Sequence, residues 1–131
     1  MHNIIVDQNS GTINKIKAMG QVVRLRALHL LLRAETPLCI CELMDVLEKA
    51  EYQVSRCLTG LEKASLIQEE RDGRLLFYSP VYGTPLNRLL FSVLDVADPD
   101  LAALFARDLE KLKKRLSLRQ NGKVTVTYCS G

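Results

Sequence analysis

The chain has 131 residues, 47% of them hydrophobic and 25% charged, with a formal net charge of +3. That is room for one compact domain with a core and little more, and the mildly basic balance fits a nucleic-acid partner without requiring one. No apolar run approaches the ~20 residues that span a bilayer. The opening MHNIIVDQNS has no basic leader or cleavage site, so a cytoplasmic location with no membrane partner is expected. In that compartment the four cysteines stay thiols unless they hold a metal or do redox work.

Residues 1–10 are polar and irregular and are expected to be flexible. A short helix follows from Thr12 to Met19, punctuated by Gly20. QVVRLRALHLLLRA then carries Val22, Leu25, Leu28 and Leu32 on one helical stripe, closed by Thr36-Pro37. CELMDVLEKA reads as a second short helix, apolar at Leu43, Val46 and Leu47. After a break at Ala50-Glu51, Val54, Leu58 and Leu61 recur at helical spacing. LIQEERDGRLLFYSP is two extended runs about Asp72-Gly73, a strong hairpin signal. Leu86, Leu89, Leu90, Val93 and Leu94 form one helical stripe. After Asp98-Pro99, Leu101, Leu104, Phe105, Leu109, Leu112 and Leu116 form another. The tail VTVTYC alternates with period two, as a short strand or a disordered end would.

This order predicts a mainly α fold with a small β-hairpin, on the winged helix-turn-helix plan. A single domain over 11–119 would hold a recognition helix at 52–64, a wing at 66–80 and C-terminal dimerisation helices at 84–119. A tail at 120–131 carries Cys129. The last stripe is long for the core available, so pairing across a two-fold axis, a homodimer through terminal helices, is expected.

The polar face of the candidate recognition helix carries Tyr52, Gln53, Ser55, Arg56, Thr59 and Lys63, groups suited to base edges and phosphates. A solvated surface helix has the same look. At the hairpin tip, Arg71 and Arg74 bracket Asp72-Gly73, where a wing meets the DNA backbone or minor groove.

Cys39 and Cys41 stand in LCICEL. Two residues apart, they diverge by about 200° on an ideal helix but share a face on a strand. An unwound first turn at a strand-to-helix junction would aim both sulfurs at one ion, and a helix N-terminus favours the thiolate. The alternative is two small core hydrophobes. Cys57 falls on the apolar face of its helix, core first and ligand second. Arsenic(III) and antimony(III) favour three soft thiolates, and Cys129 would supply the third if the tail folds back; otherwise it is a plain tail thiol. Met44 and His29 read as packing. No Cys/His nucleophile pair, Gly-rich phosphate loop or paired-carboxylate pattern appears, so neither an enzyme nor an organic cofactor is expected.

Taken together, RLRAL, LCxCEL, VSRxLxxLEKAxLI and the RDGR wing, over roughly residues 15–82, resemble the ArsR/SmtB family of metalloregulatory repressors, most closely its arsenic-responsive branch. The resemblance implies a homodimeric winged helix that binds double-stranded operator DNA and releases it on capture of arsenic(III) or antimony(III). It implies that Cys39 and Cys41 form the inducer site, that Gln53, Ser55 and Arg56 read DNA, and that Arg74 serves the wing. Many arsenic sensors have a third cysteine where Met44 stands, and a histidine usually occupies the Cys57 position. No cysteine precedes Cys39, and the C-terminal helix lacks the histidine of the zinc sensors. Cys129 is therefore the first choice for a third ligand and Cys57 the second. Two rival functions share the fold: a thiol-redox or persulfide-responsive repressor, and an interaction module without inducer.

Overall fold

The computed structural model describes residues 11–127, so the expectations for residues 1–10 and for Cys129 lie outside the described residues. Six helices and three strands follow in the order α1 Gly11–Met19, α2 Val22–Arg33, β1 Leu38–Cys39, α3 Ile40–Leu47, α4 Glu51–Lys63, β2 Ile67–Asp72, β3 Leu75–Pro80, α5 Pro85–Ser92 and α6 Pro99–Leu116. A short 3-10 turn at Val93–Val96 joins α5 to α6. The expected fold class, mainly helical with a small β-hairpin on the winged-helix plan, is what the chain adopts. Among the described residues no helix is long and apolar enough to cross a membrane.

Local signals set the boundaries. Thr84 and Asp98 cap α5 and α6, their side chains accepting from Asn87 N (3.1 Å) and Leu101 N (2.9 Å), with a proline following each at the first helical position. The hairpin turns one residue later than Asp72-Gly73 suggests. Asp72 pairs with Leu75 as the last strand rung, so Gly73-Arg74 is the two-residue loop, with Gly73 at φ +64°. That left-handed value suits glycine.

The sheet order is β1-β3-β2, all antiparallel. β1 is a two-residue strand absent from the sequence reading. It pairs Leu38 with Tyr78 and Cys39 with Phe77. Burial and the neighbouring Glu69 push the Tyr78 phenol up to about 12, so it stays protonated where it packs.

Two stripes came out differently. On α2, Ala27, Leu28, His29, Leu30 and Leu31 are buried in unbroken succession while Val22 is exposed. The helix is surrounded by α1, α3, α4, α6 and β3, so burial is not confined to one face. On α6 the apolar stripe packs against α2 and α3 of its own chain, burying Phe105 and Leu112. The large apolar side chains left exposed include Ile16, Val22, Leu89, Val93 and Val96, on α1, α2, α5 and the 3-10 turn, and Leu118 just after α6.

α6 is fastened by charge as well as by packing. Asp108, Lys111, Arg115 and then Arg119 recur at helical spacing. They pair with Arg26, Glu48, Asp45 and Glu42 in turn. Asp108 is 1% exposed and takes both prongs of Arg26 at 2.9 Å. Its carboxylate is occupied, which removes it as a ligand for an ion.

Candidate nucleic-acid interface and thiol site

α3 and α4 form the helix-turn-helix. Val54, Leu58 and Leu61 anchor α4 in the core at 0–1% exposure, which turns Tyr52, Gln53, Ser55, Arg56 and Thr59 outward, all exposed. Arg56 lies 5.6 Å from the Tyr52 ring centre and donates to its hydroxyl at 3.2 Å, which holds both on one side of the helix. Arg71 and Arg74 are exposed at the hairpin tip. The helix face and the wing thus present cationic and hydrogen-bonding groups without apolar cover, the arrangement needed to meet phosphates and base edges.

A residue that pattern reading passed over joins this surface. Arg24 of α2 lines the same shallow depression as Tyr52, Arg56, Thr59 and Gly60. Its side chain lies over Gly60, where an added Cβ would meet Nη1 at 3.2 Å, and its Nε has no hydrogen-bond partner among the described residues. That Nε is itself buried, but the positive charge of a guanidinium lining this depression suits a nearby phosphate. The glycine inside an otherwise regular helix was the available signal. Arg24→Ala is expected to weaken operator binding about equally for all sequences and to reduce the slope of log affinity against log salt by about 0.9. An unchanged slope in a salt titration would remove Arg24 from the contact.

Cys57 is in this depression too, half-buried, and not in the core as its spacing suggested. Burial raises its thiol pKa against the pull of Arg24 and Arg56, so it is protonated at neutral pH. It is not brought to Cys39 and Cys41.

Cys39 ends β1 in extended conformation (φ −87°, ψ 163°) and caps the N-terminus of α3, while Cys41 is inside the first turn. This is the junction at which residues two apart can face the same way. Their Cα atoms are 5.5 Å apart and the sulfurs are joined as a disulfide. That separation lies inside the range two bonded cysteines need. The junction therefore delivers both sulfurs to one point, which a shared soft ion also requires. Cys39 is 0% exposed and Cys41 7%.

Glu42 completes the junction. At the third helical position it reaches back to accept from Cys39 N at 3.1 Å, half of a capping box in which cysteine replaces the usual hydroxyl residue. Arg119, in the turn after α6, grips both oxygens of Glu42, at 2.7 and 2.8 Å. Beyond it the chain doubles back. Gln120 and Lys123 exchange backbone bonds at 2.9 Å, and Val126 O accepts from Arg115, which pairs with Asp45 one turn beyond Cys41. An open cleft of about 490 Å³ brings Thr36, Pro37 and Arg119 beside Arg71, Phe77 and Val124. The segment leading into the thiol junction, the wing and the returning tail thus line one cleft. Glu42 was legible as the fourth residue of a capping pattern; Arg119, 77 residues away, carried no local signal.

His29 is buried and stacked on Phe105, ring centres 4.0 Å apart. Burial and then Arg33 lower its pKa, which keeps it neutral packing.

The fold and its outward face are those of a winged-helix DNA-binding regulator. The model of the bacterial regulatory protein arsR family matches residues 22–69. A putative arsenical resistance operon repressor, ArsR2 of Halobacterium salinarum, is 26% identical over 93 residues, covering 71% of this chain and 76% of that protein. The arsenic resistance transcriptional regulator ArsR1 of Pseudomonas putida is 34% identical over 62 residues, 47% of this chain and 48% of its own length. In solved structures, HlyU of Vibrio cholerae shares the fold with a TM-score of 0.60 at 22% identity, covering 70% of this chain and 97% of that one. The chain belongs to the ArsR family and is a winged-helix transcriptional repressor of that family.

Proposed function

We propose that this repressor leaves its operator when arsenic(III) or antimony(III) is captured by Cys39 and Cys41. The observation that carries this reading is the β1–α3 junction, which turns two sulfurs to one point next to both DNA-contacting elements. Cys39 is hydrogen-bonded through its strand to β3 of the wing, and α3 packs on α4. Any shift needed to close both sulfurs on one soft ion therefore reaches wing and reading helix together. Two half-sites must be met about 34 Å apart, so a small change in both subunits weakens binding; couplings of this kind are typically ~1–3 kcal/mol, or about 5–150-fold. The arsenic-related names of the two relatives support the choice of ion.

In this reading Tyr52, Gln53, Ser55, Arg56, Thr59, Arg71 and Arg74 contact operator DNA in the cytoplasm. A homodimer presents two such faces, its seam drawn from the exposed Ile16, Leu89, Val93 and Val96. The return of the tail past Arg115 and Asp45 supports Cys129 as third thiolate over Cys57. The joined sulfurs favour a second reading, in which the two thiols give up two electrons and two protons to an oxidant and the resulting disulfide is the releasing signal.

Both are tested by a gel shift on the DNA upstream of the protein's own coding sequence, titrated separately with arsenite, antimonite, zinc, cadmium and diamide. Release by arsenite and antimonite under reducing conditions is expected. Release by diamide but not by arsenite would select the oxidative reading. Release by zinc alone would overturn both.

A further inference from the structure

We propose that Arg119 is the latch on the thiol pair, a positioning residue that must let go before any ligand reaches Cys39. This rests on the reading of the pair as the inducer site and adds what controls access to it.

Cys39 has no exposed surface and Cys41 has 7%. A solute therefore reaches Cys39 only when the 36–42 segment opens, and the rate of opening depends on the bonds that hold it. Besides the backbone pairing of Leu38 and Cys39 with β3, the side-chain bonds on this segment converge on one guanidinium. The Arg119 guanidinium donates to Glu42 Oε2 through Nε (2.8 Å), to Glu42 Oε1 (2.7 Å) and Pro37 O (2.8 Å) through Nη2, and to Thr36 Oγ1 through Nη1 (3.2 Å). Glu42 Oε1 in turn accepts from Cys39 N. One guanidinium thus ties together residues 36, 37 and 42 and, through the carboxylate, residue 39.

The chemistry of the pair makes the latch firm and switchable. Glu42 is 1% exposed, and a buried carboxylate is tolerated only when it is paired. The planar guanidinium meets it in a two-pronged contact that lysine does not reproduce. Arg119 itself is held from its own side by the last turn of α6, where its N–H donates to Leu116 O at 3.1 Å, and by the Gln120–Lys123 reversal. The latch joins the segment that opens to α6, whose other charged contacts reach α2 and α3. Moving α6 or its following turn would therefore change access to the sulfurs.

The test measures how fast each cysteine of the reduced, native repressor is alkylated by iodoacetamide, with the modified peptides assigned by mass. Arg119→Gln removes the fork, Arg119→Lys keeps charge without it, and Cys57, half-buried on another surface, is the internal reference. The latch predicts Cys39 and Cys41 modified at least ~10-fold faster in Arg119→Gln, an intermediate rate in Arg119→Lys, and an unchanged rate for Cys57. Wild-type rates at Cys39 in the variants would overturn the latch, as would Cys57 accelerating in parallel, which marks general loosening. Should Arg119→Gln not fold, Arg119→Lys alone decides: faster Cys39 supports the latch, and a wild-type rate overturns it. These rates do not depend on which signal the repressor answers. Failure of arsenite to release operator would sink the functional reading and leave the latch to be judged by alkylation alone.

Discussion

Replacing Cys39 or Cys41 with serine is expected to leave operator affinity within about threefold of wild type, ~0.7 kcal/mol, and to abolish arsenite-driven release. The two halves of this result have separate causes. The sulfurs are buried at the β1–α3 junction and are not themselves part of the exposed face of α4 or of the wing tip, so the DNA-contacting surface survives the change. Serine is close in size but is a hard, poor ligand for a trivalent thiophile, so the ion loses one of two sulfurs the junction brings together. A gel shift of each single variant, with and without arsenite, reads both halves. Release persisting in both would take the inducer site away from this pair.

The largest effect on stability is expected at Asp108→Ala, about 3–5 kcal/mol lost, read from the denaturant midpoint. Asp108 is 1% exposed and Arg26 13%, with two hydrogen bonds of 2.9 Å between them. Its carboxylate is the first cause of the raised Arg26 pKa. Truncation leaves a buried guanidinium without its counter-ion and detaches the middle of α6 from α2. Arg33→Ala breaks the pair with Asp95, where both side chains are about half exposed, and is expected to cost under ~1 kcal/mol. Equal losses at the two sites would mean that burial does not set the strength of these contacts.

What could be read along the chain was what is locally encoded. The i, i+4, i+7 spacing of Val54, Leu58 and Leu61 placed the reading helix and its polar face. Glycine at 73 gave the hairpin, and Asp98-Pro99 gave the start of the last helix. Hidden from that reading was whatever depends on distant residues meeting. α2 sits at the centre of the fold, so its leucines are buried on several sides and no single stripe describes them. α6 finds its apolar partners in α2 and α3, which the length of its stripe does not reveal. β1 is two residues long and exists because Phe77 and Tyr78 accept it as a third strand. The thiol site divides the same way. The CxC spacing marked Cys39 and Cys41, and Thr36-Pro37 placed them near a helix start or a strand-to-helix junction without choosing between the two. The Glu42–Arg119 bridge spans 77 residues and needed the fold.

Coupling between sites is reciprocal: if an ion on the thiols weakens the hold on DNA, DNA must weaken the hold on the ion by the same factor. The most direct measurement is therefore arsenite affinity of the reduced repressor, free and saturated with operator, by calorimetric titration. Binding about 5–150-fold weaker in the operator complex is predicted; equal affinity in the two states would contradict the account.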